Sequence, residues 1–217
     1  MKTHNISKNN SVANNFLAEI RDVKIQSDRL RFRKNLSRLG EILAYEMSKS
    51  FDFTKKEIET PLKNMAVEVI EEQPILISIL RAGMPFFEGV QQVFDHADAG
   101  FIGAFREKDF SSSNKIDLSY VAVPDLDGKT VVIVDPMLAT GQSMADTINK
   151  LSEEYGKPKK VCLLAVIAAP KGITYLEKTI QLPIELWCGA IDDSLNDKAY
   201  IVPGLGDAGD LAYGPKQ

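Results

Sequence analysis

Val131-Val-Ile-Val-Asp135-Pro-Met-Leu-Ala-Thr140-Gly141-Gln142-Ser143 is the stretch on which the fold turns. Four consecutive apolar, mostly β-branched residues read as a strand buried on both faces, and an acid ends it. A short loop then enters a helix through Thr-Gly-x-Ser. At the carboxyl end of a parallel strand, in front of a helix N-terminus, backbone amides point outward and bind a phosphate readily. Gly141 lets the backbone approach such an anion, and the hydroxyls of Thr140 and Ser143 add donors. Asp135 would oppose a phosphate, so its partners are hydroxyl groups or a metal ion, and the combination suggests a phosphorylated sugar. The alternative is an ordinary helix start with a Ser/Thr cap. The G-x-x-x-x-G-K-[ST] and G-x-G-x-x-G spacings are both missing, which removes support for nucleoside triphosphate or dinucleotide binding.

Outward from this strand, further apolar runs occur at Pro74–Leu80, Phe101–Phe105, Val161–Ala168 and Ile184–Cys188. Helix-sized segments lie between them at Pro85–Asp95, Ser143–Tyr155 and Ile173–Thr179. The alternation predicts an α/β fold, a doubly wound, mostly parallel sheet flanked by helices. Upstream, Leu30, Phe32, Leu36, Leu39, Leu43 and Met47 recur at helical spacing within Ser27–Phe51, which predicts an amphipathic N-terminal helical arm. A shorter helix is expected over Lys63–Glu72. Arg106–Val123 holds a Ser-rich turn (Ser111 to Asn114) before alternating Ile116, Leu118 and Tyr120, the pattern of a hairpin projecting from the sheet. Residues 1–16 are rich in Asn and Ser and are expected to be flexible, leaving 17–217 as a single domain.

The whole chain has 217 residues, 44% hydrophobic and 26% charged, enough to bury a core without a staple. A net charge of −4 argues against nucleic acid or an anionic membrane as partner, so an anionic substrate must be held by a local nest of donors. Cys162 and Cys188 sit inside apolar runs and read as reduced core residues. No signal peptide or membrane span is legible, and a cytoplasmic location is expected.

Two more strand ends carry charge. Arg81 follows the most apolar strand in Ile79-Leu80-Arg81-Ala82-Gly83, where a charge is costly unless it is paired or faces a ligand. Arg106 ends the next run in the same way. His4 and His96 have no nucleophile or carboxylate placed to form a triad. Tyr200-Ile-Val-Pro-Gly-Leu-Gly206-Asp207-Ala208-Gly209-Asp210 packs three glycines into six residues, a backbone able to press against a flat ligand.

Taken together these stretches resemble the uracil phosphoribosyltransferases, over about Leu17 to Gly214. The likeness includes Arg21-Asp22, Phe32-Arg33, Leu43-Ala-Tyr-Glu46, Thr60-Pro-Leu62, the Arg81 segment, the Asp135 loop, Ala168-Ala-Pro-Lys-Gly-Ile173 and the Tyr200–Asp210 loop. The resemblance implies a pyrimidine salvage transferase that joins uracil to phosphoribosyl diphosphate, giving uridine monophosphate and diphosphate. Magnesium (Mg2+) would be carried on the diphosphate, with no metal site on the protein. It also implies that Asp135 takes the ribose hydroxyls. The donor loop runs through Pro136, Met137, Leu138, Ala139, Thr140, Gly141, Gln142 and Ser143, of which Ala139 to Ser143 hold the 5′-phosphate. Arg81 and Arg106 bind the diphosphate. Ile201, Gly206, Asp207 and Ala208 read uracil, and Asp207 also reaches the donor through water or metal; Asp207, Arg81 and Arg106 are the catalytic set. A homodimer or higher homo-oligomer follows from the same likeness, and GTP as an effector stays open. The chain departs from the family pattern at Gln142 (usually Gly), Ala122 (usually Lys) and Leu211 (usually Arg). The last two remove positive charge near a polyanionic substrate, which leaves a weak or non-catalytic nucleotide sensor as the alternative.

Overall fold

The structure, a computed structural model, describes residues 1–106 and 116–215. In chain order the elements are β1 (Lys2–Asn5), α1 (Val12–Arg21), α2 (Arg29–Ser48), β2 (Phe53–Glu59), β3 (Asn64–Ile70) and β4 (Ile75–Leu80). There follow α3 (Gly83–Val93), β5 (Ala99–Arg106), β6 (Ile116–Ala122), β7 (Thr130–Val134), β8 (Met137–Leu138) and α4 (Gln142–Glu154). The chain continues through β9 (Lys160–Ala168), α5 (Pro170–Thr179), β10 (Ile184–Ile191), β11 (Ser194–Leu195), β12 (Ile201–Val202) and α6 (Ala208–Tyr213).

The main sheet runs β1-β10-β9-β7-β4-β5-β6, with β8 added beside β9. All its pairings are parallel except β5 with β6. Each apolar run faces both ways. Val131 and Ile133 of β7 pack in the layer that holds Ile148 and Leu151 of α4, while Val132 and Val134 pack in the layer of α1, α2, α3 and α6. The same split places Leu163 and Ala165 on one side of β9 and Cys162 and Leu164 on the other. Full burial of a side chain of this size contributes roughly 1.5–3 kcal/mol, so two-sided burial, more than strand propensity, holds the sheet. On the helical side a Cβ at Gly89 of α3 would stand 1.9 Å from the Ser37 carbonyl of α2, so these helices meet backbone to backbone and only glycine fits there. No described helix is long and apolar enough to cross a membrane.

The doubly wound sheet, the long arm helix and the five buried strands match the sequence reading. Three expectations do not. Lys63–Glu72 is no helix: β3 pairs with β2 in an antiparallel hairpin, Phe53 opposite Ile70 and Glu59 opposite Asn64. Met65, Val67 and Val69 repeat every two residues, and this period overrides local helical tendency. Thr60 makes the turn, its Oγ1 accepting from Lys63 N–H at 3.1 Å and donating to Lys63 O at 2.7 Å. Secondly, the N-terminus expected to be flexible is built into the sheet, since β1 pairs parallel with β10 and the Met1 ammonium meets Glu177 at 3.0 Å. Its polar residues are caps: the Asn5 side chain accepts from Ser7 N–H, and Ser11 with Asn14 forms a capping box at α1. His4 is therefore stacked on Trp187, ring centroids 3.6 Å apart. Thirdly, Leu30 belongs to the exposed side of α2, whereas Phe32, Leu36, Leu39, Leu43 and Met47 are buried as expected. The flanks of the expected β5–β6 hairpin are paired, Arg106 opposite Ile116, and its Ser111–Asn114 turn lies outside the described residues.

Candidate active site

The chain leaves β4 through α3 on one face of the sheet and β7 through α4 on the other, although β4 and β7 are neighbours. A crevice therefore opens between their carboxyl ends, where ligands of open α/β sheets bind. Ser78 is level with Val134, so Asp135 and Arg81 both stand just past the paired positions at this crevice. The turn after β4 rests on the end of β7: a Cβ on Gly83 would lie 2.9 Å from the Val134 carbonyl oxygen.

Asp135 is held in place by its neighbours. Its amide donates to Leu164 O at 3.1 Å, and its Oδ1 accepts from Met137 N–H at 3.2 Å. The loop beyond is tied down in turn, β8 pairing with Ile167 and Ala168, and Ala169 N–H donating to Leu138 O at 2.9 Å. The Ser/Thr cap considered from sequence is not built. Gly141 occupies the N-cap of α4 at φ 79°, with no side-chain cap. Thr140 Oγ1 makes only a 3.4 Å contact to Gln142 N–H. A helix of 13 residues thus starts at the crevice with an N-cap residue that has no side chain to cap its first amides, Gln142 N–H alone meeting Thr140. Gly141 is also needed for space, since a Cβ there would meet Gly172 O at 2.6 Å, and one on Gly172 would meet Ala139 O at 2.5 Å. The Pro170-Lys171-Gly172 start of α5 is the floor on which the loop lies.

The glycine-rich segment forms β12, a turn and α6. Ile201 is buried and pairs with Leu195 of β11. Asp207 is the N-cap of α6, its Oδ1 accepting from Asp210 N–H at 2.9 Å. Arg81 reaches this segment from β4, Nη2 donating to Asp210 Oδ1 at 3.1 Å and Nη1 to Gly214 O at 3.3 Å. Its Nε is buried with no acceptor among the described residues. Asp207 Oδ1 and Arg81 Nη2 flank Gly209, 3.2 and 3.6 Å from where its Cβ would be. The structure thus brings Arg81 and Asp207 together and sets Asp135 with its loop on the adjoining strand. Arg106 closes β5, and its side chain lies outside those described. Ala122 pairs with Phe101, itself level with Ser78, so it lies below the carboxyl edge of the sheet. Leu211 packs half-buried against the core. A separate groove of about 540 Å³, lined by Lys171, Asp193, Asn196 and their neighbours, contains none of these residues.

Sequence reasoning missed several supports. Arg21 of α1 pairs with Asp192, Gln26 donates to Leu205 O at 3.2 Å, and Arg33 of α2 donates to Ala212 O at 2.7 Å. The helical arm therefore braces the glycine-rich segment. Asp192 carries the signal that singled out Arg81 and Asp135, a charge at the end of a buried strand.

A crevice of this kind, with an acid, a hydroxyl-bearing loop and an uncapped helix start at the switch point of the sheet, defines a phosphoribosyltransferase of type I architecture. A hypoxanthine phosphoribosyltransferase from Staphylococcus aureus shares the fold at TM-score 0.50 and 13% identity, over 75% of this chain and 76% of that one. The chain belongs to the uracil phosphoribosyltransferase family, whose model matches residues 7–215, and it is accordingly a transferase. A uracil phosphoribosyltransferase of Porphyromonas gingivalis is 40% identical over the full length of both chains. One of Pyrococcus furiosus is 38% identical over 91% of this chain and 84% of its own. Among solved structures, the AQ2163 protein from Aquifex aeolicus superposes at TM-score 0.83 with 35% identity, covering 95% of this chain and 96% of that one.

Proposed function

We propose that this chain makes uridine monophosphate and diphosphate from uracil and phosphoribosyl diphosphate through the crevice between β4 and β7. The observation that carries the reading is the Arg81–Asp210 contact at 3.1 Å, by which the residue assigned to the donor's diphosphate touches the segment assigned to the base. Asp135 orients the ribose hydroxyls, and Ala139–Ser143 of the donor loop, with the first turn of α4, takes the 5′-phosphate. Arg81 and Arg106 hold the diphosphate as its charge develops, with Asp207 facing the donor from the base side. The backbone of Ile201, Gly206, Asp207 and Ala208 reads uracil. An edge of alternating acceptors and donors suits backbone amides and carbonyls. A pocket built for that edge rejects cytosine, whose pattern leaves groups unpaired at roughly 1–3 kcal/mol each. The transfer passes through a loose, oxocarbenium-like state, so positioning and charge stabilisation supply the rate and no protein nucleophile is required.

Beside the carboxylates of Asp135 and Asp207, and that of Asp210 which Arg81 already holds, the crevice offers an arginine, amides and hydroxyls, groups that suit anionic oxygens better than a bare cation. Magnesium accordingly enters with the donor, on its diphosphate. The exposed β2–β3 hairpin, with Leu62 95% accessible at its tip, supports a homo-oligomer in which this hairpin is covered. A cytoplasmic location belongs to the same proposal, in keeping with two buried free thiols.

The test is formation of uridine monophosphate by the purified protein with magnesium, phosphoribosyl diphosphate and uracil, with and without GTP. Product is expected, and Asp135→Asn should cost on the order of 100-fold in kcat/KM for the donor. Absence of product from folded protein under both conditions would overturn the assignment. Sedimentation velocity of the same sample reads the oligomeric state.

A further inference from the structure

Resting on the uracil reading of the glycine-rich loop, we infer that the part-buried Arg21–Asp192 ion pair is the positioning clamp of that loop and sets its affinity and selectivity for the base. Asp192 stands at the end of β10 with its side chain only 4% exposed. Arg21, the last residue of α1, grips it with two parallel bonds, Nη1 to Oδ2 at 2.8 Å and Nη2 to Oδ1 at 2.6 Å. The same two groups hold both backbone polar atoms of Gly204, whose N–H donates to Asp192 Oδ2 at 2.8 Å and whose carbonyl accepts from Arg21 Nη1 at 2.9 Å. Gly204 lies in the turn between Ile201 and Gly206, outside any helix or strand. One rigid fork therefore fixes the middle of the backbone that must match the base edge.

A buried ion pair contributes little net stability compared with apolar packing, because desolvation offsets the attraction. What it supplies is geometry: the planar guanidinium and the carboxylate accept one relative orientation. The bonds of both residues tie α1 and the end of β10 to Gly204, so the clamp acts on the base half of the site. Arg21 and Asp192 are thus positioning residues acting through Gly204.

The experiment compares wild type, Asp192→Asn and the milder Arg21→Lys by steady-state kinetics with each substrate varied, and by amide hydrogen exchange. We expect KM for uracil to rise on the order of tenfold in either variant, with KM for phosphoribosyl diphosphate changed less than about twofold and discrimination against cytosine reduced. Exchange across residues 201–207 should accelerate while that of 131–134 holds. Equal loss for both substrates, or a lowered melting temperature with uracil kinetics intact, would overturn the clamp. If the variants do not fold, wild-type exchange decides: a Gly204 amide that exchanges as fast as that of Gly206 refutes the inference. Failure of the wild type to form uridine monophosphate would refute the function, whereas the exchange measurements test the clamp independently of turnover.

Discussion

Asp207 has one duty in the fold and a second under the proposed function, and a single substitution separates them. Its Oδ1 caps α6, a role Asn fills about as well as Asp. The role assigned to it beside the donor requires the negative charge. Asp207→Asn should therefore leave the melting temperature within about 2 °C of wild type while lowering kcat on the order of 100-fold. A large thermal shift with normal turnover would place the residue in the fold alone. Gly141 gives the complementary case. Alanine there meets a positive φ of 79° and a carbonyl oxygen 2.6 Å from its Cβ. Left-handed backbone costs a non-glycine residue roughly 1–2 kcal/mol, and the clash adds to it, so the loop must lift off Gly172. Gly141→Ala should raise KM for phosphoribosyl diphosphate at least about tenfold and leave KM for uracil near wild type, which substrate titrations would read. The Thr-Gly-x-Ser motif was legible in the sequence; the reason for its glycine was not, because Gly172 is distant along the chain.

At the scale of elements, the two ends of the parallel strands have different work. The carboxyl ends carry the candidate site, and the amino ends carry a charge cluster in which Glu72, ahead of β4, binds Lys129 ahead of β7 at 2.7 Å and Lys159 ahead of β9 at 2.8 Å. Hydrogen bonds from these lysines hold the Glu72 carboxyl down at about 2. A carboxyl lowered in the folded state contributes stability above its ordinary range, near 4.5, and loses it as the pH falls toward 2. The cluster is exposed and screened, so Glu72→Gln should lower the melting temperature at pH 7 by no more than about 2 °C, shrink the acid-induced drop below pH 4.5, and leave turnover unchanged. Calorimetry across that range, repeated in high salt, checks each part. The terminal strand offers a further test. Removing residues 1–5 strips β10 of its outer parallel neighbour and makes this longer strand the sheet edge, so the truncated protein should melt lower and aggregate more readily than the full chain. Polar composition had suggested an unpacked tail here, since caps and disorder draw on the same Asn and Ser residues.

Across the whole molecule, the sheet separates two apolar layers that share no side chain. Cys162 belongs to one and Cys188 to the other, and burial raises both thiols to about 12. Neither should react with a thiol reagent at pH 8 in the native state, and both should become reactive over the same urea range in which the circular dichroism signal is lost. Reaction of one thiol before global unfolding would mean that its layer opens separately. The sequence by itself determined the parallel sheet, because two-sided burial requires continuous apolar runs, and it marked Arg81 and Asp135 as charges at the ends of such runs, which need a partner or a ligand. It also carried the family resemblance. Only the tertiary structure decided that Lys63–Glu72 is a strand, that the N-terminus closes the sheet, and that Arg21 and Asp192 grip Gly204 across 171 residues of chain. Local periodicity is a property of neighbours in sequence, whereas a strand partner or a buried counter-charge is supplied by whichever residue folding brings within hydrogen-bond reach.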